Sequence, residues 1–307
     1  MDSLGYNKLL FILPFDHRST FAKGMFGVSE ENLTEEIVQQ IKREKQIIYK
    51  AFKKALENDI PLEDAAILVD EQFGDGILKD AKKNGYVTIL TTEKSGQYEF
   101  EFEYGEKFAE HIEKYNPVFV KALVRYNPDD SLEIKNSQRE KLKKLSDYCH
   151  AKGYKFLAEI LIVATENQLA RFGGDKNRFD KEERPKLAVR MIEEFQDFGI
   201  EPDVWKMEGV EAQEDYGLMT EAARKSRRDN VGIVILGRGA GKDVVDKWIK
   251  EGARSQGVIG FAVGRTVFWD PLVEEKEGKI SEDEAIEKIC DNFVYYYNLF
   301  MNERKNL

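Results

Sequence analysis

Short runs rich in β-branched and aromatic residues alternate along the chain with longer stretches of helical period, an order that predicts βαβ units around a parallel sheet. The predicted strands are Leu9–Phe15, Ala66–Asp70, Tyr86–Leu90, Val118–Tyr126, Lys155–Val163, Asp203–Gly209, Gly232–Gly237 and Val258–Val263. Between them, apolar residues at three- and four-residue steps mark amphipathic helices. One runs from Leu33 to Glu57, with Ile37, Ile41, Ile48, Phe52 and Leu56 on one face and Asn32-Leu33-Thr34-Glu35 as its cap. Gln138–Lys152 and Lys186–Phe198 are two more. The last, from Ser281 to about Glu303, opens on a Ser281-x-x-Glu284 capping box and turns Ile286, Ile289, Phe293 and Phe300 inward. The stretch after the first strand, through Phe26 and Gly27, reads as a loop, and Thr91–Tyr104 reads as a long loop or a small hairpin over the active face. Eight strand–helix units without a Pro/Ser-rich linker predict a single-domain (β/α)8 TIM barrel, an α/β fold spanning residues 1–307.

In a parallel barrel alternate residues of each strand point inward, and reactive groups gather at the carboxyl ends of the strands. On that rule Val204, Lys206 and Glu208 share one face of the sixth strand, opposite Trp205 and Met207. Lys121, Leu123 and Arg125 share a face of the fourth, and Glu159 lies with Leu157 and Leu161 on the fifth. The first two strands run out into Asp16-His17-Arg18 and Asp70-Glu71-Gln72. Nearly every strand thus delivers an ionisable residue to one end.

The last two strands end differently, in Gly237-Arg238-Gly239-Ala240-Gly241 and Gly264-Arg265-Thr266. Glycines let backbone N–H groups approach an anion, a helix start adds partial positive charge, and an arginine grips phosphate oxygens in bidentate fashion. Loops after the seventh and eighth strands of a barrel are the usual phosphate site. Gly237, Arg238, Gly239, Gly264 and Arg265 are therefore candidate ligands of a phosphorylated substrate.

Lys206 and Lys121 each interrupt an apolar strand. An ammonium inside a sheet is costly unless it is paired, neutralised or turned to a wet cavity. A desolvated lysine beside a second cation is part free amine near neutral pH and attacks a carbonyl to form a Schiff base. Each position also admits a structural role. Lys206 could pair with Glu208 or Glu159, Lys121 could neutralise a carboxylate, and Arg238 and Arg265 could pair with Asp243 and Asp270. His111 and His150 fall on helical segments and read as solvated.

The net charge of −10 argues against general affinity for nucleic acid or an anionic membrane. The apolar runs are strand-sized, and Met1-Asp2-Ser3-Leu4-Gly5-Tyr6 lacks the basic start and apolar stretch of a signal peptide, so a cytoplasmic location is expected. Cys149 and Cys290 stand in helical patterns without a Cys or His at ligand spacing, which predicts free thiols and no zinc site.

The motifs Phe15-Asp16-His17-Arg18, Val69-Asp70-Glu71-Gln72-Phe73-Gly74, Val120-Lys121-Ala122-Leu123, Leu157-Ala158-Glu159, Val204-Trp205-Lys206-Met207-Glu208-Gly209, Leu236-Gly237-Arg238-Gly239-Ala240 and Phe261-Ala262-Val263-Gly264-Arg265 run from the first strand to the eighth. In their order and placement the chain resembles the class I aldolases of the tagatose-bisphosphate type. It is closer still to the domain described as 2-deoxy-5-keto-gluconate-6-phosphate aldolase-like, found alone or fused to a sugar kinase of inositol breakdown. One departure is Asp70-Glu71-Gln72-Phe73, where the tagatose type carries aspartate, glutamate and tyrosine. The resemblance implies reversible aldol cleavage of a phosphorylated sugar, with Lys206 forming the imine, Lys121 as the accompanying lysine and Glu159 transferring protons.

In that mechanism Lys121 would depress the pKa of Lys206, and Asp16, Arg18, Asp70, Glu71, Arg125 and Glu208 are candidates for binding the substrate. It calls for neither a cofactor nor a metal. The rival expectations are a metal-dependent aldolase or enolate lyase using Asp16, Asp70, Glu71 and Glu159, and a non-catalytic sugar-phosphate-binding barrel. The aromatic-rich segment Phe293–Phe300 is a candidate subunit contact for a homo-oligomer.

Overall fold

Eight parallel strands close into one barrel in sequence order: β1 (Leu10–Pro14), β2 (Ala65–Val69), β3 (Val87–Thr91), β4 (Phe119–Tyr126), β5 (Lys155–Ile162), β6 (Val204–Glu208), β7 (Gly232–Leu236) and β8 (Val258–Ala262). The computed structural model describes residues 4–58 and 60–305. Met1–Ser3, where the reading for a leader begins, and the last two residues of the 1–307 span lie outside the described residues. Strand β8 returns to β1 with Leu10 opposite Gly260 and Ile12 opposite Ala262. Gly260 is required there, because a Cβ would lie 2.0 Å from the Leu10 carbonyl oxygen.

Strands covered on both faces read as nearly continuous apolar runs. Their outward residues, among them Phe11, Ile67, Trp205, Met207, Ile235 and Phe261, pack under the helices in the main core. Their inward residues, including Leu10, Ile12, Leu68, Ile89, Phe119, Leu157, Val204 and Val234, form a separate plug inside the barrel. The Tyr6 ring meets Phe119 edge-on, with centroids 5.0 Å apart. The charged residues sit further along the same strands, so they have an apolar floor beneath them.

Several elements differ from the sequence expectation. Ser19–Phe26, read as loop, is a helix that buries Phe21, Ala22 and Met25 and ends at Gly27 with φ 70°. It lacks a side-chain cap hydrogen bond at Arg18, so the usual start signal is missing. Helices Glu166–Arg171 and Lys176–Glu182 follow β5 and are too short to show a period. The stretch Thr91–Tyr104 takes the hairpin alternative, with Glu93 bridged to Phe102 in antiparallel fashion.

The helices over Glu35–Asn58 and Arg184–Asp197 match their predicted segments within two residues, whereas Leu132–Lys152 starts six residues before the predicted Gln138. The final helix, Glu282–Arg304, has the predicted capping box of Ser281 and Glu284. Most of the aromatics in its candidate contact segment pack within the chain. Phe293, Tyr296 and Phe300 are buried against Phe261, which leaves Tyr295 as the large exposed side chain of that segment. Cys149 and Cys290 are buried, and neither forms a disulfide among the described residues. Among the described residues no helix is long and apolar enough to cross a membrane.

Candidate active site

A cavity of about 240 Å³ opens at the carboxyl end of the barrel, with Lys121 and Lys206 among its lining residues. Inward alternation places both lysines just above the apolar plug, on β4 and β6, with Glu159 on the intervening β5. The Lys121 ammonium lies 2.8 Å from Asp16 Oδ2, 2.6 Å from Glu93 Oε1 and 2.8 Å from Glu159 Oε2. Lys206 lies 2.9 Å from Glu159 Oε1, which is its one salt bridge among the described residues.

Burial alone would push the Asp16 carboxyl up, but Lys121 first, then Lys206, outweigh it and hold the group well below the usual carboxylate range. Glu159 is lowered in the same way, by Lys121 and Lys206 acting against burial. Burial works to discharge Lys121, yet Asp16, Glu159 and Glu93 together hold its ammonium well above the ordinary lysine value. Lys121 is therefore a fixed cation.

Glu93 and His17 are among the residues of this cavity that carried no assigned role in the sequence reading. Glu93 follows β3 and, besides holding Lys121, accepts a hydrogen bond from the Leu123 backbone N–H at 3.2 Å. The alternation of Ile89, Thr91 and Glu93 is the signal that would have found it. His17 also lines the cavity, and its Nδ1 is shut off from solvent without a hydrogen-bond partner among the described residues. Burial pushes its imidazole down to about 4 against the pull of Asp16, so the ring is neutral at neutral pH.

The candidate substrate ligands divide into two groups. Asp16, Arg18 and Arg125 line the cavity. Arg18 is anchored by Glu103 at 2.7 Å and by the Glu93 carbonyl, and Arg125 donates to the Gln97 carbonyl at 2.5 Å, so the 92–103 hairpin orients both. Asp70, Glu71 and Glu208 do not line it. Asp70 lies past the end of β2, caps the helix Glu71–Lys83 by accepting from Phe73 N, and pairs with the buried Lys45 of the helix Glu35–Asn58. Glu71 faces outward to His111 at 2.6 Å and Lys114 at 2.7 Å.

Glu208 is buried, accepts from Ile162 N at 2.9 Å, and stands behind Arg238. His111, read as solvated, stacks on Tyr104 with centroids 3.5 Å apart, and His150 lies 3.3 Å from Asp203. The four acids of the metal-dependent alternative are not gathered. Two hold Lys121 and two face elsewhere, and among the described residues no group of three or more potential ligands could hold a metal ion.

All five candidate phosphate ligands, Gly237, Arg238, Gly239, Gly264 and Arg265, line one side of the cavity. Neither arginine takes the carboxylate weighed from the sequence. Arg238 lies 2.6 Å from Asp180 and 2.9 Å from Glu208, and Arg265 donates to the Arg238 carbonyl at 3.2 Å. Gly239, at φ 68°, leaves room for the Arg265 guanidinium, which a Cβ would meet at 2.2 Å.

Fold and cavity together define a (β/α)8 barrel with a paired-lysine, carboxylate-rich pocket and an arginine–glycine rim. The chain belongs to the family described as "Uncharacterized protein conserved in bacteria (DUF2090)", whose model matches residues 5–304. No curated protein sequence matches it. Among solved structures it is similar to fructose-bisphosphate aldolase from Plasmodium falciparum, at 12% identity and TM-score 0.65, covering 98% of this chain and 92% of that one. It is also similar to the YdjI aldolase of Escherichia coli K12, at 13% identity and TM-score 0.58, with coverage of 97% and 94%. A third is Cgl0159 of Corynebacterium glutamicum, at 16% identity and TM-score 0.55, with coverage of 95% and 88%. At these identities the likeness is one of fold.

Proposed function

We propose that this protein is a class I aldolase that cleaves a phosphorylated ketose or keto-sugar acid through a Schiff base on Lys206. The observation that carries this reading is the unequal setting of two buried lysines. Both border the cavity, but Lys121 touches three carboxylates whereas Lys206 touches one. A nucleophilic amine must shed its proton, and Glu159 Oε1 at 2.9 Å is the group placed to take it.

The free amine of Lys206 adds to the substrate ketone, and the carbinolamine loses water, with Glu159 returning the proton to the departing hydroxyl. The resulting iminium draws in the electron pair of the neighbouring carbon–carbon bond as Glu159 removes the proton of the leaving alcohol. The aldehyde departs, the enamine left on Lys206 is protonated on carbon, and water hydrolyses the renewed iminium. Asp16, kept ionised beside Lys121, is available to accept a substrate hydroxyl. Arg238, Arg265 and the glycine loops supply donors for the phosphate. Two of the fold neighbours are named as aldolases, and the motif resemblance points the same way.

Borohydride reduction in the presence of candidate ketose phosphates, followed by peptide mapping, tests this reading. A stable adduct on the peptide containing Lys206 is expected. No adduct with any of them, or one on Lys121, would overturn it.

A further inference from the structure

The rim arginine Arg238 has an unusual setting for a side chain that is 39% exposed. Its backbone is left-handed, with φ 53°, a region that a residue with a Cβ seldom adopts and that costs free energy unless surrounding contacts impose it. Two carboxylates hold its guanidinium, Asp180 on Nη1 at 2.6 Å and Glu208 on Nε at 2.9 Å. An exposed ion pair gains little stability, and one carboxylate would serve to neutralise the charge. What two carboxylates on different nitrogens add is direction.

Each carboxylate is itself anchored from behind. Glu208 accepts from Ile162 N at 2.9 Å through its other oxygen. Asp180 accepts from Arg184 Nε at 3.2 Å, and the buried Arg184 in turn donates to the Gly209 carbonyl at 2.8 Å. The guanidinium of Arg238 is thus tied to the end of β6 on one side and to the segment after β5 on the other. A second cation that lines the cavity, Arg265, donates to the Arg238 carbonyl at 3.2 Å. Two neighbouring guanidinium groups repel each other unless counter-charge lies close by, and Asp180 and Glu208 provide it from behind the rim.

We infer that Asp180 and Glu208 are positioning residues, which aim Arg238 together with Arg265 at the anionic group of the substrate. The inference rests on the proposed phosphate grip and deepens it. It makes anion affinity depend on Asp180, a residue of the short helix Lys176–Glu182 that lies outside the barrel strands. Charge counting and positioning predict opposite results for Asp180→Asn. Removing a negative charge near an anion site should tighten binding, whereas freeing a long side chain that must then be ordered on binding should loosen it.

Calorimetric titration with inorganic phosphate at low salt reads the difference, with wild type, Asp180→Asn, Asp180→Glu and Arg238→Lys compared. Asp180→Asn is expected to raise the phosphate Kd roughly three- to tenfold, the loss expected when one long side chain has to be ordered anew. Asp180→Glu is expected to recover part of that loss. With the ketose phosphate that forms the borohydride adduct, Asp180→Asn should raise KM by a similar factor and leave kcat near wild type. Binding by Asp180→Asn as tight as wild type or tighter, while Arg238→Lys binds more weakly, would overturn the positioning role alone. Absence of phosphate binding by wild type would overturn the grip as well. The Lys206 adduct reports on the imine chemistry separately from both.

Discussion

Lys121 and Lys206 share the carboxylate of Glu159, which lies 2.8 Å from the first through Oε2 and 2.9 Å from the second through Oε1. With Asp16 and Glu93 also on Lys121, three acids face two lysines, and the fully ionised layer carries one negative charge in excess. The layer rests on an apolar plug, where charges couple more strongly than in water. The two lysines are therefore not equivalent to remove.

Replacing Lys121 by Met strands Asp16 and Glu93 without their ammonium and takes one of two from Glu159. A loss of about 3–5 kcal/mol is expected, the range for removing one partner of a buried ion pair. Lys206→Met leaves Glu159 still paired with Lys121, so its loss should be smaller, while the borohydride adduct disappears. Urea unfolding of both variants together with adduct mass decides the matter. Equal destabilisation, with the adduct surviving in Lys206→Met, would contradict the assignment.

Asp70→Asn should be a stability variant. It leaves the buried Lys45 without its carboxylate but keeps a side chain able to cap the helix Glu71–Lys83. An expected cost of about 3–5 kcal/mol follows from the uncompensated buried charge. Inorganic phosphate affinity should be unchanged, because Asp70 does not line the cavity. Thermal unfolding and phosphate titration check the two halves.

His17 gives the fold an acid sensitivity that starts well above the carboxylate range. Its folded value of about 4 lies below the ordinary 6.5, so the unfolded chain binds more protons between those values and stability falls as pH falls. The loss from this group at about pH 5 is on the order of 2 kcal/mol relative to neutral pH. Glu44 acts in the opposite sense. Burial raises it to about 7, so the folded state favours its protonated form and gains stability as pH drops through that value. Comparing wild type with His17→Phe isolates the histidine, and the variant should lose less stability between neutral pH and about pH 5. Parallel pH profiles would show that His17 is not responsible.

Gly239→Ala should disturb the rim specifically. The new Cβ would lie 2.2 Å from Arg265 Nη2, at a φ of 68° that L side chains resist. Displacing that guanidinium should weaken inorganic phosphate binding roughly tenfold or more, the scale of one hydrogen bond to a charged group. An unchanged phosphate Kd would remove Arg265 from the grip.

Barrel closure and the inward set of charges were legible in the sequence because they follow from period-two alternation in eight apolar runs. The same rule misled at Asp70. By parity it belongs with Ala66 and Leu68, but β2 ends at Val69 and the chain turns there into a helix. Glu93 continues the alternation of Ile89 and Thr91 past the end of β3, but it falls in the stretch that reads as loop or hairpin, where the inward rule is not applied. The partners of Arg238 were beyond reach for a different reason. Asp243 was the acid weighed from the sequence, whereas Asp180 is 58 residues away and meets Arg238 only once the segment after β5 folds over the rim.

The contact between Lys206 and Glu159 has one more consequence for the proposed reaction. Resting ammonium and substrate-bound iminium both carry a single positive charge on the same nitrogen. Covalent attachment of the ketone is then an isoelectric exchange as Glu159 experiences it, and the surrounding carboxylates need not regroup to accept the bound sugar. On the reaction proposed for Lys206, the pocket would match the charge of its covalent intermediate before any substrate arrives.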